Sequence, residues 1–308
     1  MPHEVVLVTG ASGYIGGAVT RRLIGRTEVR SLTSHPAIDR FDGRVRPYPY
    51  DFDQPARMKE AFQGVGVFVN TFYVRFNHGH WTFDRAVRVT RELISLAQRA
   101  GVRKVVHVSV SNAREASPLP YYRNKSRIEE VIRESGLDFT ILRPALVVGP
   151  GDILVNNIAY FLRRLPVFTM FGRGRCRVQP IMLDALADLA VEAADGAYAQ
   201  RTLAVAGPRD WTFLEMVRTI RAAVRSRAII LPVPTAVAFA GLRAAGWLLR
   251  DVVLTRDEIE GLIDEYLYAD APVRRGGDFS GWLASPGVAT SLGTSYASEL
   301  QRHFHQPA

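Results

Sequence analysis

Tyr121 and Lys125 are spaced so that they could move a proton beside a carbonyl group. Four residues apart on a helix, their side chains lie on one face, one turn from each other. An ammonium next to a phenol favours the phenolate and lowers the phenol pKa from about 10. Tyr121 is therefore a candidate acid that protonates an alkoxide as hydride reaches a ketone. Tyr and Lys at this spacing also occur by chance, so the pair depends on its context.

That context begins with a glycine-rich turn, VTGASGYIGG, directly after the first predicted strand. Its glycines permit a tight turn, close approach of the backbone to a pyrophosphate, and packing of helix on strand. The helix N-terminus directs the positive end of its dipole at the anion. We predict a dinucleotide site, with a purely structural turn as the alternative. The candidate contacts are Gly10, Ser12, Gly13, Tyr14, Ile15 and Gly16.

The second predicted strand ends without the acidic residue that NAD sites usually carry for the ribose hydroxyls. The loop after it offers hydroxyls and cations instead: Thr33, Ser34, His35 and Arg40. Arg21 and Arg22 on the first helix add charge. This set suits a 2′-phosphate, so NADP(H) is favoured over NAD(H); the alternative is an ordinary solvated loop. After the third strand, Asp51 and Phe52 are further candidates, Asp51 as an acceptor from the adenine amino group or as an exposed turn residue.

Apolar runs predict the elements that position these residues. The predicted strands are Val5–Val8, Val29–Leu32, Val45–Pro49, Val65–Asn70, Lys104–Ser109 and Phe139–Arg143. The predicted helices between them are Gly13–Ile24, Pro55–Phe62, Phe83–Ala100 and Tyr121–Ser135. Near-continuous apolar strands that alternate with helices indicate a parallel sheet covered on both faces. We therefore predict the α/β class, with a Rossmann-type doubly wound parallel sheet.

The alternation breaks down after Gly149-Pro150-Gly151, which predicts a domain boundary. Residues 1–150 are expected to form the NAD(P)-binding Rossmann domain. Residues 151–308 are expected to form a smaller, mostly helical substrate-binding lobe, with some segments returning to the Rossmann sheet. A helical lid is expected near 236–268, as a hairpin of Ala236–Arg250 and Arg256–Tyr268, and the tail after it is expected to be loosely ordered.

Aromatic side chains in this lobe suit a flat or hydrophobic ketone better than a nucleotide sugar, although most of them could equally be core. They are Tyr160, Phe161, Phe168, Phe171, Phe239 and Trp247, with Leu248 beside them.

Together these motifs resemble the short-chain dehydrogenase/reductase superfamily, in its extended or atypical branch. TGASGYIGG, the Tyr121–Lys125 pair and LRPALVVGP at Leu142–Pro150 occur in the order of that superfamily. Segments NTFYVRF, DILVNNIAYFLRRLPVF and RVQPIMLDALADLAVEA are similar to bacterial proteins of the NAD-dependent epimerase/dehydratase type. Those proteins are related to NmrA-like regulators and to an accessory subunit of respiratory complex I. The resemblance runs over roughly residues 4 to 268.

The resemblance implies further site residues. Lys125 would hydrogen-bond the nicotinamide ribose, as the lysine of the YxxxK pair does in this superfamily. Asn70 and Thr71 match positions that contact the cofactor, and Pro144 with Ala145 is expected to line the nicotinamide face. Ordinary packing at strand ends is the alternative for these four residues.

One residue departs from the superfamily pattern. The superfamily normally has Ser or Thr where this chain has Val110, so the usual catalytic serine is missing. Ser111, or Ser109 through a local turn, is the expected substitute as the third catalytic residue beside Tyr121 and Lys125.

The sequence thus predicts an NADPH-dependent ketoreductase that acts on a hydrophobic, aromatic or polyketide-like small molecule. This branch also contains non-enzymes, so an NmrA-like dinucleotide sensor or a structural subunit is the alternative. A sugar-nucleotide epimerase or dehydratase is a third possibility. It requires tightly held NAD and a polar diphosphate-binding lobe, and the sequence gives little indication of either.

The charge of the chain first suggests a nucleic-acid or membrane partner. Lys and Arg number 39 against 30 Asp and Glu, a formal net charge of +9. The basic residues are scattered, however, so we expect a small-molecule substrate, no nucleic acid, no membrane and no metal site, in a monomer or homodimer. The start of the chain lacks the features of a signal peptide, and its single cysteine, Cys176, favours a reducing compartment; we expect a cytoplasmic protein.

Overall fold

The computed structural model describes residues 4–51, 54–298 and 300, without the side chains of residues 55, 56, 244 and 248. The chain divides into two compact units. The first unit comprises Met1–Pro144, Leu183–Val205 and Ala271–Val273, and the second comprises Ala145–Met182, Ala206–Asp270 and Arg274–Ala308. The two units are therefore interleaved along the sequence.

Up to β6 the described residues form strands that alternate with helices, except that β3 follows β2 without a helix between them. The strands are β1 Val5–Thr9, β2 Val29–Thr33, β3 Val45–Pro49, β4 Val65–Asn70, β5 Lys104–Val108, β6 Asp138–Pro144, β7 Leu146–Val148, β8 Val167–Phe171, β9 Arg177–Val178, β10 Pro180–Met182, β11 Arg201–Ala206, β12 Trp211–Thr212, β13 Ile229–Val233 and β14 Val273–Arg274. The helices are α1 Tyr14–Leu23, α2 Lys59–Phe62, α3 Phe83–Arg99, α4 Pro120–Arg133, α5 Ile153–Arg164, α6 Leu183–Ala194, α7 Phe213–Ala223, α8 Thr235–Leu249, α9 Arg256–Ile263, α10 Phe279–Ala284 and α11 Val288–Ser291. A 3-10 turn at Pro55–Met58 leads into α2.

An eight-stranded sheet in the order β14-β11-β6-β5-β4-β1-β2-β3 is the frame of the first unit. Every pairing from β11 to β3 is parallel. The helix pairs α1–α6 and α3–α4 pack beside it. All of β5 is buried, as expected for a strand covered on both faces. The predicted Rossmann-type sheet is confirmed, and its strand order reverses between β1 and β4, where ligands of such sheets bind.

Two sequence-based expectations in the later part of the chain are wrong. Helix α9 ends at Ile263 rather than Tyr268. The reason is that Glu265 adopts a positive φ of 57°, and the Tyr266 amide donates a hydrogen bond to the Gly261 carbonyl. The segment after Tyr268 is not loosely ordered as far as residue 298. Helix α10 buries Phe279 in the core of the second unit, which composition alone does not indicate.

The second unit has its own apolar core, built from α5, α7 and the short strands. Phe171 belongs to that core and stacks on Phe213, with ring centroids 5.5 Å apart. Trp247, also predicted to line a substrate site, is instead 84% exposed. The side chain of Leu248 lies outside the described part. No helix among the described residues is both long and apolar enough to span a membrane.

Candidate cofactor and active site

The glycine turn joins β1 to α1 at the carboxyl edge of the sheet. Gly10 has a φ of 62°, which favours glycine, and its amide donates to the Leu32 carbonyl at 2.8 Å. A Cβ at Gly16 would lie 2.3 Å from the carbonyl oxygen of Gly10, so no larger residue fits there. Helix α1 begins after Gly13, and none of the described side chains caps it. Its first amides are therefore arranged as a pyrophosphate site requires.

The ends of β1 and β4 are tied together beside this turn. The Thr71 hydroxyl donates to the Thr9 carbonyl at 2.6 Å, and the Thr71 amide donates to the Thr9 hydroxyl at 2.7 Å. Asn70 is fully buried, and its Oδ1 accepts from the Thr9 hydroxyl and from the Phe72 amide. Asn70 and Thr71 thus lie at the switch point of the sheet, where the resemblance implied cofactor contacts. Their packing also holds the two strand ends in register.

The loop after β2 holds the residues predicted for a 2′-phosphate. Thr33 is buried and its Oγ1 accepts from the His35 amide at 3.1 Å, whereas Ser34 and Arg40 are exposed. Asp39 accepts from the amides of Phe41 and Gly43, and these hydrogen bonds lower the pKa of its carboxyl. Of the two carboxylates between β2 and β3, Asp39 is therefore occupied in shaping the loop, and Asp42 pairs with Arg44 at 3.6 Å.

The third strand is followed by a carboxylate with a local function. Asp51 is half-buried and accepts from the Gln54 amide at 2.8 Å and from Arg57 at 3.2 Å, so it caps the turn before α2. Phe52, predicted beside it, lies outside the described residues. These local hydrogen bonds do not test the predicted contact between Asp51 and the adenine, which stays a prediction.

One cation proposed for the cofactor phosphates is placed elsewhere. Arg22 donates to Asp184 and Asp188 on α6, the helix that packs against α1. Its charge is therefore already matched by two carboxylates. Arg21 on the same helix is exposed, and Arg40 is the other exposed cation of the predicted set.

Lys125 is the most unusual cation of the first unit. It lies on α4, is only 5% exposed, and donates from Nζ to the carbonyl of Val108, the last residue of β5, at 3.4 Å. Its ammonium also lies 5.4 Å from the centre of the Tyr73 ring. Burial lowers the pKa of Lys125 to about 8, against the opposing effect of the nearby Glu129 carboxylate. A buried lysine at the carboxyl edge of the sheet indicates function more than structure.

Tyr121 lies one turn before Lys125 on α4, as the spacing predicted. Its ring is half-buried between Phe83, 6.0 Å away, and Tyr122, 5.2 Å away, both in edge-to-face arrangements. These contacts fix the ring in the first turn of α4, and Lys125, one turn later, reaches the end of β5. The structure therefore brings the Tyr–Lys pair and the strand ends to one edge of the sheet.

The serines near Val110 have different environments. The Ser109 hydroxyl donates to Glu129 at 2.6 Å, and this fully buried carboxylate also accepts from Arg133 and Arg143. Ser109 therefore belongs to a buried ion-pair cluster.

Ser111, predicted as the catalytic substitute, is fully buried, and its amide donates to the carbonyl of Pro144 at 2.9 Å. Pro144 ends β6, and Ala145 after it is also buried. Ser111 and the predicted nicotinamide-facing pair thus follow the adjacent ends of β5 and β6.

Sequence reasoning missed His107, the polar residue in the middle of strand KVVHV. The ring is fully buried and its Nδ1 lies 3.1 Å from the Asn70 carbonyl. A carbonyl only accepts, so Nδ1 carries the proton and Nε2 is an acceptor, which has no partner within the described residues. Burial and the Lys125 charge lower the pKa of His107 to about 3. A histidine in an otherwise apolar strand was the available signal.

This shift predicts an acid-dependent loss of stability. The pKa of His107 is about 3 in the folded protein and 6.5 in the unfolded chain. As the pH falls, the unfolded chain therefore binds the extra proton first. Stability contributed by neutral His107 is present above pH 6.5 and is lost as the pH falls towards 3. At pH 5 the loss is about 2 kcal/mol, at 1.36 kcal/mol for each pH unit below 6.5. Urea unfolding at pH 7 and pH 5 measures it.

The matched variants are His107→Phe, which should remove this part of the pH dependence, and His80→Phe, which deletes an exposed imidazole. An equal change between pH 7 and pH 5 in the wild type and in His107→Phe would contradict the assignment.

Comparison with known proteins agrees with a dinucleotide site. Residues 10–151 match a family model described as NAD(P)H-binding. Over 256 residues the chain is 26% identical to mitochondrial NADH dehydrogenase (ubiquinone) 1 alpha subcomplex subunit 9 of Arabidopsis thaliana, covering 78% of this chain and 63% of that protein. Over 171 residues it is 34% identical to sterol demethylase protein B of Methylococcus capsulatus, covering 47% of this chain and 52% of that protein.

The chain thus spans between half and two thirds of these two curated relatives. Among solved structures, an NADPH-dependent quinone oxidoreductase of Escherichia coli, complexed with NADPH, superposes with a TM-score of 0.70 at 19% identity, covering 86% of this chain and 91% of that one. At this identity the likeness shows a shared fold.

Proposed function

We propose that the chain, which resembles the short-chain dehydrogenase/reductase superfamily in its extended or atypical branch, is an NADPH-dependent ketoreductase of a hydrophobic small molecule. The observation that carries the proposal is Lys125, a buried cation with a lowered pKa, one helical turn from Tyr121 and at the same sheet edge as the glycine turn. Reduction of a carbonyl requires a hydride donor and a proton donor. The NAD(P)H-binding domain would hold the first, and the Tyr121–Lys125 pair would supply the second.

The residues at this edge fit the cofactor. The amides of α1 would hold the pyrophosphate, Thr71 and Asn70 would contact its middle part, and Lys125 would bind the nicotinamide ribose. When bound, NADPH supplies the hydride. Tyr121 donates its phenolic proton to the substrate oxygen as negative charge develops there, and the Lys125 ammonium stabilises the resulting phenolate.

Val110 leaves the substrate oxygen without the usual serine. Ser109 donates to Glu129, and Ser111 is the other hydroxyl next to Val110 in the sequence, so we assign Ser111 to the site as the third catalytic residue. If Ser111 stays buried in the complex, Tyr121 or a hydroxyl of the substrate handles the proton alone.

The preference for NADPH rests on the loop after β2. Thr33, Ser34, His35 and Arg40 offer donors there, while Asp39 is occupied by two backbone amides. Arg40→Ala should weaken NADPH binding about tenfold, the lower end of the range for a hydrogen bond to a charged group, and leave NADH binding unchanged. Titration calorimetry with both nucleotides measures this.

Arg44→Ala is the matched control, since Arg44 is an exposed arginine of the same loop that pairs with Asp42. Equal losses for NADPH and NADH in Arg40→Ala, or tighter binding of NADH by the wild type, would contradict the phosphate pocket.

The proposed substrate class rests on the name of a curated relative. One relative is named for sterol demethylation, which favours a hydrophobic substrate. The experiment is to follow NADPH oxidation with a steroid ketone, an aryl ketone and a long-chain aliphatic ketone. Turnover of any of these supports the proposal, and their relative kcat/KM values order the substrate classes.

A second function, a dinucleotide sensor or structural subunit without chemistry, is favoured by Val110 and by the relative that is named as a subunit of NADH dehydrogenase. It predicts tight NADPH binding and no oxidation with any ketone.

A further inference from the structure

A segment of the second unit combines apolar surface with charge of one sign. Between Met216 and Arg250 the sequence has six arginines and neither aspartate nor glutamate. The segment comprises most of α7, then β13 and α8. The proposed reaction uses none of it.

Helix α8 turns an apolar face to solvent. Trp247 is 84% exposed and Val237 is 54% exposed, and exposed Ala240 lies between them on the same side of the helix. The opposite side packs inward: Ala238 is buried in the core of the second unit, and Leu242 packs against it. A 15-residue helix that is apolar on both sides is normally covered on both sides.

Strand β13, which ends two positions before α8 begins, also exposes an apolar face. Ile229 is 64% exposed and Leu231 is 46% exposed, and Ile229 pairs with Val167 of β8, which is 36% exposed. The two strands pair in parallel, and parallel strands are normally buried on both faces. Exposed apolar surface of this extent marks a binding surface.

Arginines flank both elements. Arg243 and Arg250 are exposed, and their spacing of seven residues, two helical turns, places them on one edge of the face that carries Trp247. Arg225 and Arg227, also exposed, directly precede β13. The segment has no carboxylate to neutralise them, so its complement is an anionic surface.

We propose that α8, with β13, docks the protein on a membrane surface that contains anionic lipids, and that α8 lies in the interface. Tryptophan and apolar residues enter the boundary between headgroups and acyl chains, while arginine stems lie along it and their guanidinium groups reach phosphates. This departs from our sequence-based expectation of no membrane partner, which considered how basic residues are distributed over the whole chain.

A second copy of the chain fits this surface less well. A two-fold interface brings the same patch together from both partners. It would place arginines against arginines without any carboxylate of the segment between them, and such like-charge contacts are unfavourable.

The test uses the full chain without nucleotide or ketone, so its outcome is independent of catalysis. The protein is sedimented with vesicles of phosphatidylcholine alone or of phosphatidylcholine with phosphatidylglycerol. We expect binding to the anionic vesicles, weakened by salt, and a blue shift of tryptophan emission that Trp247→Phe abolishes. Arg243→Glu with Arg250→Glu should bind roughly 25-fold more weakly, since each basic residue near an anionic surface contributes about fivefold.

The matched control is Arg88→Glu with Arg91→Glu, an equal charge change at two exposed positions of α3, which should bind nearly as the wild type does. Absence of binding, equal binding to both vesicle types, or an equal loss in the α3 control would overturn the proposal. Dimerisation that depends on Trp247 in the absence of vesicles would also overturn it, in favour of a contact between copies.

Discussion

Tyr121→Phe is expected to lower kcat for ketone reduction by about 100-fold to 10,000-fold, the range that positioned general acids contribute. NADPH binding should remain unchanged, because the ring keeps its contacts with Phe83 and Tyr122 and only the hydroxyl is removed. The measurement is steady-state NADPH oxidation with the best ketone of the panel, together with a direct NADPH titration.

Tyr122→Phe provides the matched control. Tyr122 is the adjacent residue on α4, it is buried, and it lies on a different side of the helix. It should retain most of the activity. An unaltered rate in Tyr121→Phe would show that the phenol is not the essential acid, and an equal loss in both variants would indicate a structural effect.

Lys125→Met is expected to reduce kcat by at least about 100-fold, since the cation that favours the Tyr121 phenolate is lost. NADPH binding should weaken as well, because the proposed contact with the nicotinamide ribose is removed. Methionine matches the lysine stem in length and apolar character, so the helix and its packing should be preserved. Activity and nucleotide titration together measure both effects.

The same variant should be more stable than the wild type at neutral pH. Burial lowers the pKa of Lys125 from 10.5 to about 8, so below pH 8 the folded protein holds an unfavourable buried charge. Between pH 8 and 10.5 the unfolded chain binds more protons, so wild-type stability rises with pH, by roughly 3 kcal/mol at 1.36 kcal/mol per unit. Lys125→Met lacks this rise.

Urea unfolding at pH 7 and pH 10 tests this, with Lys59→Met as the control at an exposed position. A variant that loses activity while gaining stability at pH 7 identifies a functional lysine. Loss of stability at pH 7, or retention of activity, would contradict this assignment.

Local patterns predicted much of the first unit. Strands β3 and β4 begin and end at the predicted residues. Apolar runs define such strands, and Thr82 caps α3, which begins at the predicted Phe83, by accepting from the Arg85 amide. The glycine turn and the Tyr–Lys pair are equally local, because a turn and one helical turn fix their geometry.

Long-range contacts were not predictable in this way. Arg22 is paired with Asp188, 166 residues further along the chain, and nothing near Arg22 in the sequence indicates that partner. Trp247 has the residue type of a pocket lining, but its exposure depends on which side of α8 the core covers. The approach of the Lys125 ammonium to the Tyr73 ring likewise depends on how α4 packs beside the end of β4.

Transfer of an isotope from the cofactor is the sharpest test of whether this protein catalyses hydride transfer. The protein is incubated with a hydrophobic ketone and NADPH that carries deuterium at one or the other C4 position, and the product alcohol is analysed by mass spectrometry. We expect deuterium from one of the two positions to reach the carbinol carbon, and Tyr121→Phe to slow this transfer. Tight NADPH binding without deuterium in any product, across all three ketone classes, would contradict the reductase and favour a dinucleotide sensor.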